Sequence, residues 1–528
     1  MANVKISQLP LATSPLDSTV EMPVVQGGVT KRAPVNTIGF LQSGTSAVLR
    51  TAQDKMRETI SVEDFGALGN GVADDKAAIQ AAIDACFAAG GGSVFLPTGT
   101  YRVVGALVLK PYVSLIGENQ RSTVIQQATV SSVTINCDIS PSINSYASVE
   151  NLSIVYSSQG TVGGTAINLG NCFYVDVVNV YVYRAYIGYT GGTSSNSCLV
   201  ERSSFEDCTH IGMWVYDSEN VSANWTYVLN SNTTLCALGC FRLENLVQGC
   251  NFSNCYTFRG AYPLISTASV YADGVRPAFN KFEASYFDAA PNPAIVEKTI
   301  ETDFDNCWFS NGRGNLKSGV ELSQTDGIRF TGGQAINSGA YGALVNANCT
   351  RTVFNGFAAR DNSVDAANTY DGIAFAANTT DFTVTNCILT NDVITSFGTQ
   401  RYGINVAAGT SDRYIITGNL LTGNGTGGIN DGGTGTVKYI SYNTGYRTSN
   451  SGAAQIAIGA SNVTINHGLS ATPAQTDIQT VPTVDINSGG VARWWVDNVG
   501  STTFRINVNT AVVGADLFFA WSARTKGA

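Results

Sequence analysis

The chain has 528 residues, 13% of them charged, with 55 glycines, 12 cysteines and a formal net charge of −9. That length exceeds what one ordinary hydrophobic core organises, leaving two to four domains or one solenoid with attachments. So few charged residues argue against a helical protein, and the lack of a basic patch argues against nucleic-acid binding.

Residues 1–50 open with Lys5-Ile-Ser-Gln-Leu-Pro10, which lacks the apolar core of a secretory signal. No run of about 18 apolar residues follows anywhere, so no membrane insertion is expected. Without an export signal, folding in a reducing host cytoplasm is expected, with the cysteines as small buried apolar groups. Met22-Pro-Val-Val-Gln-Gly-Gly-Val-Thr-Lys-Arg32 places Gly27-Gly28 between two alternating runs, which fits a hairpin. This stretch resembles the short modules that attach phage tail proteins to the particle. Residues 51–61 read as a connector.

From Val62 to Val103 the chain reads Val-Glu-Asp-Phe-Gly-Ala-Leu-Gly-Asn-Gly-Val-Ala-Asp-Asp, then residues 76–89, then Gly90-Gly-Gly-Ser-Val-Phe-Leu-Pro-Thr-Gly-Thr-Tyr101. Ile79, Ala82, Ile83, Cys86 and Phe87 recur at helical period, Asp74 or Asp75 can cap the N-terminus, and the glycines from Gly90 end the helix. A strand over 93–96 follows. These residues resemble the opening segment of the pectate-lyase-like superfamily, where an amphipathic helix plugs one end of a right-handed parallel β-helix. The resemblance implies that Asp74 and Asp75 are structural.

Residues 62–450 then repeat one register: apolar, variable, Asn or Gly, small or apolar, variable, apolar. It appears at Val149-Glu-Asn-Leu-Ser-Ile154, Val177-Val-Asn-Val-Tyr-Val182 and Val200-Glu-Arg-Ser-Ser-Phe205. It recurs at Val247-Gln-Gly-Cys-Asn-Phe252, Phe282-Glu-Ala-Ser-Tyr-Phe287 and Phe304-Asp-Asn-Cys-Trp-Phe309, and continues through Phe330, Phe354, Val384 and Ile416. The double gap between Val200 and Val247 leaves room for one more coil. Positions one, four and six face inward. Position three suits a left-handed bend, and positions two and five face solvent. The reading is eleven or twelve coils, stacked about 4.8 Å apart.

Residues 451–528 change character. Short alternating strands at 455–458, 462–465, 491–496, 503–508 and 517–521 suggest an antiparallel β-sandwich. It resembles the C-terminal domains that trimerise phage tailspikes. A carbohydrate-binding module is the alternative, with Trp494 or Trp495 stacking on a sugar.

No metal-binding, phosphate-binding or dinucleotide signature is present, and no cofactor or metal is expected. His210 reads as a packed or surface residue and His467 as structural. Glycan hydrolysis needs two carboxyl groups flanking one bond. In the position-two column, Glu283 and Asp305 are the acids on consecutive coils. Position five of the same coils carries Tyr286 and Trp308. Two carboxylates and two sugar-stacking aromatics are therefore expected on one outer face, with each carboxylate raising the other's pKa. Asp303 is placed with them as a third catalytic candidate, with Asp288 and Glu301 nearby. Glu201 with Asp207, and Asp361 with Asp365, are further choices. Adjacent coils set the carboxyl groups roughly 5–9 Å apart, a range that spans retaining and inverting geometries.

The resemblance as a whole is to bacteriophage tailspikes, homotrimers in the virion tail that are joined to tail or baseplate through their N-terminus. It implies an endo-glycosidase acting on capsule, exopolysaccharide or O-antigen. The alternatives are a polysaccharide lyase of the same fold and a non-enzymatic adhesin.

Overall fold

The structure, a computed structural model, describes residues 21–34, 38–137, 145–192, 194–272, 274–311, 316–391 and 398–525. The Lys5–Pro10 segment lies outside them. Three long parallel sheets of fifteen, thirteen and thirteen strands dominate. The chain visits them in turn, so each coil adds one strand to each sheet, and every strand pairs with the equivalent strands of the coils before and after. The first sheet runs from Ile60–Ser61 to Lys438–Ser441. The body is thus a parallel β-helix with more coils than the eleven or twelve expected.

The corner between the first and second sheets explains the Asn/Gly pattern. Asn151, Asn179, Asn254, Asn306 and Asn386 all have positive φ there, as do Gly332, Gly356 and Gly418. At φ near +50° a Cβ crowds the backbone, and Asn and Gly tolerate this best. Arg202, Trp225 and Ala284 occupy the same corner and carry that cost.

Inside, position one forms a column of rings. Phe252, Phe282, Phe304, Phe330 and Phe354 stack in order with centroids 4.7–5.0 Å apart, matching the coil spacing. All twelve cysteines are buried thiols, as expected.

One register differs from the sequence reading. Phe252, not Val247, pairs with Phe282, so position two of that coil is Ser253 rather than Gln248. Val247 closes a strand of the third sheet, Phe241–Gln248. The missing coil is Ala223-Asn-Trp-Thr-Tyr-Val228, whose Ala223 pairs with Val200 on one side and Phe252 on the other. A small residue at position one and a tryptophan at the corner disguise it.

The helix Lys76–Ala88 caps the open end through buried Ile79, Ala82, Ile83 and Cys86. Phe87 does not join them and is 44% exposed. Asp75 stands at the N-cap position without a side-chain cap bond. Its buried carboxylate instead accepts the Leu68 and Gly69 N–H groups at 2.7 and 3.2 Å. Asp74 takes the capping role, accepting from Lys76 N and Val104 N, both at 3.2 Å.

Upstream, Glu21–Gln26 pairs antiparallel with Val29–Pro34 around Gly27 and Gly28, both at positive φ. At the other end, two three-stranded antiparallel sheets enclose a separate core that includes Phe504, Ile506, Phe519 and Trp521. One of their strands, Ile478–Pro482, was not expected from sequence. No helix among the described residues is long and apolar enough to cross a membrane.

Candidate functional site

The strands Lys281–Glu283 and Asp303–Asp305 lie side by side in the first sheet, with Glu283 and Asp305 as direct partners. Past the corner, Tyr286 pairs with Trp308 in the second sheet, their ring centroids 5.6 Å apart. Alternation within each strand turns all four side chains outward, so the column argument brings them together as expected.

A fifth residue changes the electrostatics. Lys281 also faces outward, two residues before Glu283. Its Nζ lies 3.2 Å from Glu283 Oε2 and 3.3 Å from Asp305 Oδ2. These two oxygens are therefore no farther apart than the sum of those distances, 6.5 Å. Hydrogen bonds to Glu283 and then Asp305 hold the ammonium above its usual pKa, so it stays charged at neutral pH. The expected mutual repulsion of the carboxylates is offset by this cation.

Asp303 belongs elsewhere. Arg329 Nε donates to its Oδ1, while Arg329 Nη1 donates to Glu301 Oε2 at 2.7 Å. Arg351 extends the network to Glu301 and Asp326. Charges so neutralised on neighbouring coils form an ion-pair ladder rather than a reacting group. Glu301 is part of that ladder. Asp288 faces out from the second sheet, and with burial as the larger cause its charge raises the Tyr256 phenol pKa.

The other pairs separate. Glu201 sits on the first sheet, 3.6 Å from Arg202, whereas Asp207 lies beyond the second sheet and accepts Ser231 N–H at 2.6 Å. Asp361 is a buried corner residue, and Asp365 accepts the Leu316 N–H at 2.7 Å. His210 stacks on Tyr186 at 4.5 Å, and burial followed by Arg242 lowers its pKa, so it is neutral at pH 7. His467 is buried, with Nδ1 accepting from Leu469 N at 3.0 Å. Trp494 packs against Phe519 and donates to Thr480, and Trp495 is 43% exposed. Among the described residues, no group of three or more His, Cys, Asp or Glu is arranged to hold a metal ion.

Sequence reasoning missed two features. Asp176 points out between Glu150 and Glu201, and its carboxyl pKa is raised by burial first, then by those two charges. It occupies the outward position before the corner residues, the same place as Lys281, which the column argument did not consider. Tyr227 and Tyr256 precede Tyr286 in the position-five column. The misread register over 222–258 hid both.

Residues 59–261 match the family described as "Rhamnogalacturonase A/epimerase, pectate lyase-like". The body of this chain is a pectate-lyase-like β-helix. The pectate-lyase-like opening segment also has curated relatives. Mannuronan C5-epimerase AlgE2 of Azotobacter vinelandii is 55% identical over 73 residues, 12% of this chain and 7% of that protein. The tail spike protein of Shigella phage Sf6 is 45% identical over 78 residues, 14% and 12% of the two. Each match spans a small fraction of either protein. Among solved structures, bacteriophage CBA120 tailspike protein 3 superposes with a TM-score of 0.60 at 16% identity, over 78% of this chain and 68% of that one. A mutant tailspike of E. coli bacteriophage HK620, in complex with a hexasaccharide, has a TM-score of 0.59 at 12% identity. It covers 93% of this chain and 97% of that one. At such identities the likeness is one of fold.

Proposed function

We propose that this chain is a bacteriophage tailspike that binds a bacterial surface polysaccharide and cleaves it by endo-glycosidic hydrolysis at Glu283 and Asp305. The observation that carries the reading is their pairing on one outer corner beside Tyr286 and Trp308. One carboxyl group protonates the leaving glycosidic oxygen while the other, held ionised by Lys281, attacks the sugar carbon or activates water. The 6.5 Å limit on the oxygen separation fits the retaining spacing of about 5–5.5 Å and touches only the lower edge of the inverting range. The aromatic rings cover the CH faces of the sugars beside the scissile bond. Residues 1–50 are assigned to attachment to the tail or baseplate, and residues 451–528 to trimerisation. The relatives support polysaccharide as the substrate class: their names include epimerases, an alginate lyase and tailspikes.

A second reading is favoured by Asp176. A carboxyl that keeps its proton longer than usual is what a general acid needs, and Glu150 and Glu201 flank it.

Incubation with purified bacterial polysaccharides, followed by sizing of the products, tests both. Glu283→Gln and Asp305→Asn are each expected to cut the rate at least a hundredfold while leaving binding and a sedimentation mass of three chains intact. If both variants cleave at the wild-type rate and Asp176→Asn does not, the second reading replaces the first. Products that absorb in the ultraviolet identify a lyase, and binding without shortening identifies an adhesin.

A further inference from the structure

We infer that the outer face of the second sheet is a track for a polysaccharide chain lying along the helix axis, from Tyr227 through Tyr256 and Tyr286 to Trp308. Its placement beside a cleavage point rests on the function proposed above; the track itself does not.

These four residues are successive partners in one register, so the stacking of coils sets their rings in a line parallel to the axis. Centroid separations are 6.5, 6.1 and 5.6 Å. The first two pairs meet edge to face and the third is tilted. The rings therefore do not close on one another as a parallel stack, and they leave faces and edges toward solvent. Tyr286 is 45% exposed. The column is bounded, with Ser204 before Tyr227 and Gln334 after Trp308. A polymer crossing the sheet would meet one ring or two, whereas one lying along the axis meets all four.

The occupant follows from what lies between the rings. On the same face, at the next outward position, stand Glu206 and Asp288, with Leu229 and Phe258 between them. Arg259 lies over the Phe258 ring at 5.0 Å. A dry protein surface laid on this face would strand those charges away from water. A hydroxylated chain can hydrogen-bond to them while its CH faces cover the rings.

The arrangement is lopsided. The acidic pair belongs to the coils of Tyr286 and Trp308, so two rings extend to the N-terminal side of it and none to the C-terminal side. Long chains should gain affinity from Tyr227 and Tyr256 that short fragments seated at Tyr286 and Trp308 do not.

The test measures binding of the full chain carrying Glu283→Gln, so that cleavage does not erode the probe. The probes are purified capsular, exopolysaccharide and O-antigen preparations, each used intact and as short acid-hydrolysed fragments. At least one intact polymer is expected to bind. Tyr227→Ala and Tyr256→Ala should each weaken that binding about five- to tenfold and leave fragment binding unchanged. Tyr256→Phe should bind as the parent does, because the ring is kept. Unfolding temperature and sedimentation mass should not move. The track is refuted if no polymer binds or if both alanine variants bind as the parent does. It is also refuted if they change the sedimentation mass, which would make the face a contact between copies. Should Glu283→Gln still cleave, the proposed catalytic pair fails while the binding comparison stands.

Discussion

Asp176 shows what an outward position on a sheet does to a carboxyl group when no cation stands beside it. Burial and the charges of Glu150 and Glu201 raise its pKa in the folded protein. The unfolded chain then releases the proton first as pH rises, so this residue opposes folding above the ordinary aspartate value of about 3.9. Asp176→Asn is therefore expected to raise the unfolding temperature at pH 7. The gain should vanish below about pH 4, where both states are protonated; thermal unfolding across pH checks this. Lys281 occupies the equivalent place two coils before Arg329 and has the opposite effect on its neighbours, attracting Glu283 and Asp305. The acids and aromatics of this corner were legible because position within the coil dictates facing. Lys281 and Asp176 were not, because the outward position ahead of the corner was left out of the reading.

Each coil depends on its corner. Asn306 turns the chain between Asp305 and Trp308 at φ 52°, a conformation costly for branched side chains. Asn306→Val should cost about 1–2 kcal/mol, and Ala284→Asn, at φ 46°, should stabilise by a few tenths. Chemical denaturation checks both, and a neutral Asn306→Val would mean that the corner relaxes. The Asn/Gly rhythm made these elements readable in most coils. It failed at 223–228, where Ala223 and Trp225 replace the usual bulky apolar and Asn, and the register slipped to Val247. The cap shows a similar limit. Helical period identified the face of Lys76–Ala88, yet Phe87 lies outside the contact because the helix meets the coil over a narrower stripe than the period suggests.

Over the whole molecule, stability comes from stacking rather than cross-links. The cysteines fill interior positions as thiols, and burial raises the pKa of those such as Cys255 and Cys307 to about 12. Reducing agent should leave the unfolding temperature unchanged, and thiol reagents should react only after unfolding. A lower unfolding temperature in reductant would point to a disulfide between them. The sequence by itself determined the architecture: the repeat, the capped end, the inward and outward faces, and a separate β-domain after the coils. These follow from local rules, the two-residue period of a strand and the residues that tolerate a left-handed bend. Only the tertiary structure decided which outward side chains meet. A salt link such as Lys281 to Asp305, or a row such as Tyr227 to Trp308, joins residues on different coils. Their encounter is set by coil length and register, and a one-coil slip replaces every neighbour without altering any local pattern.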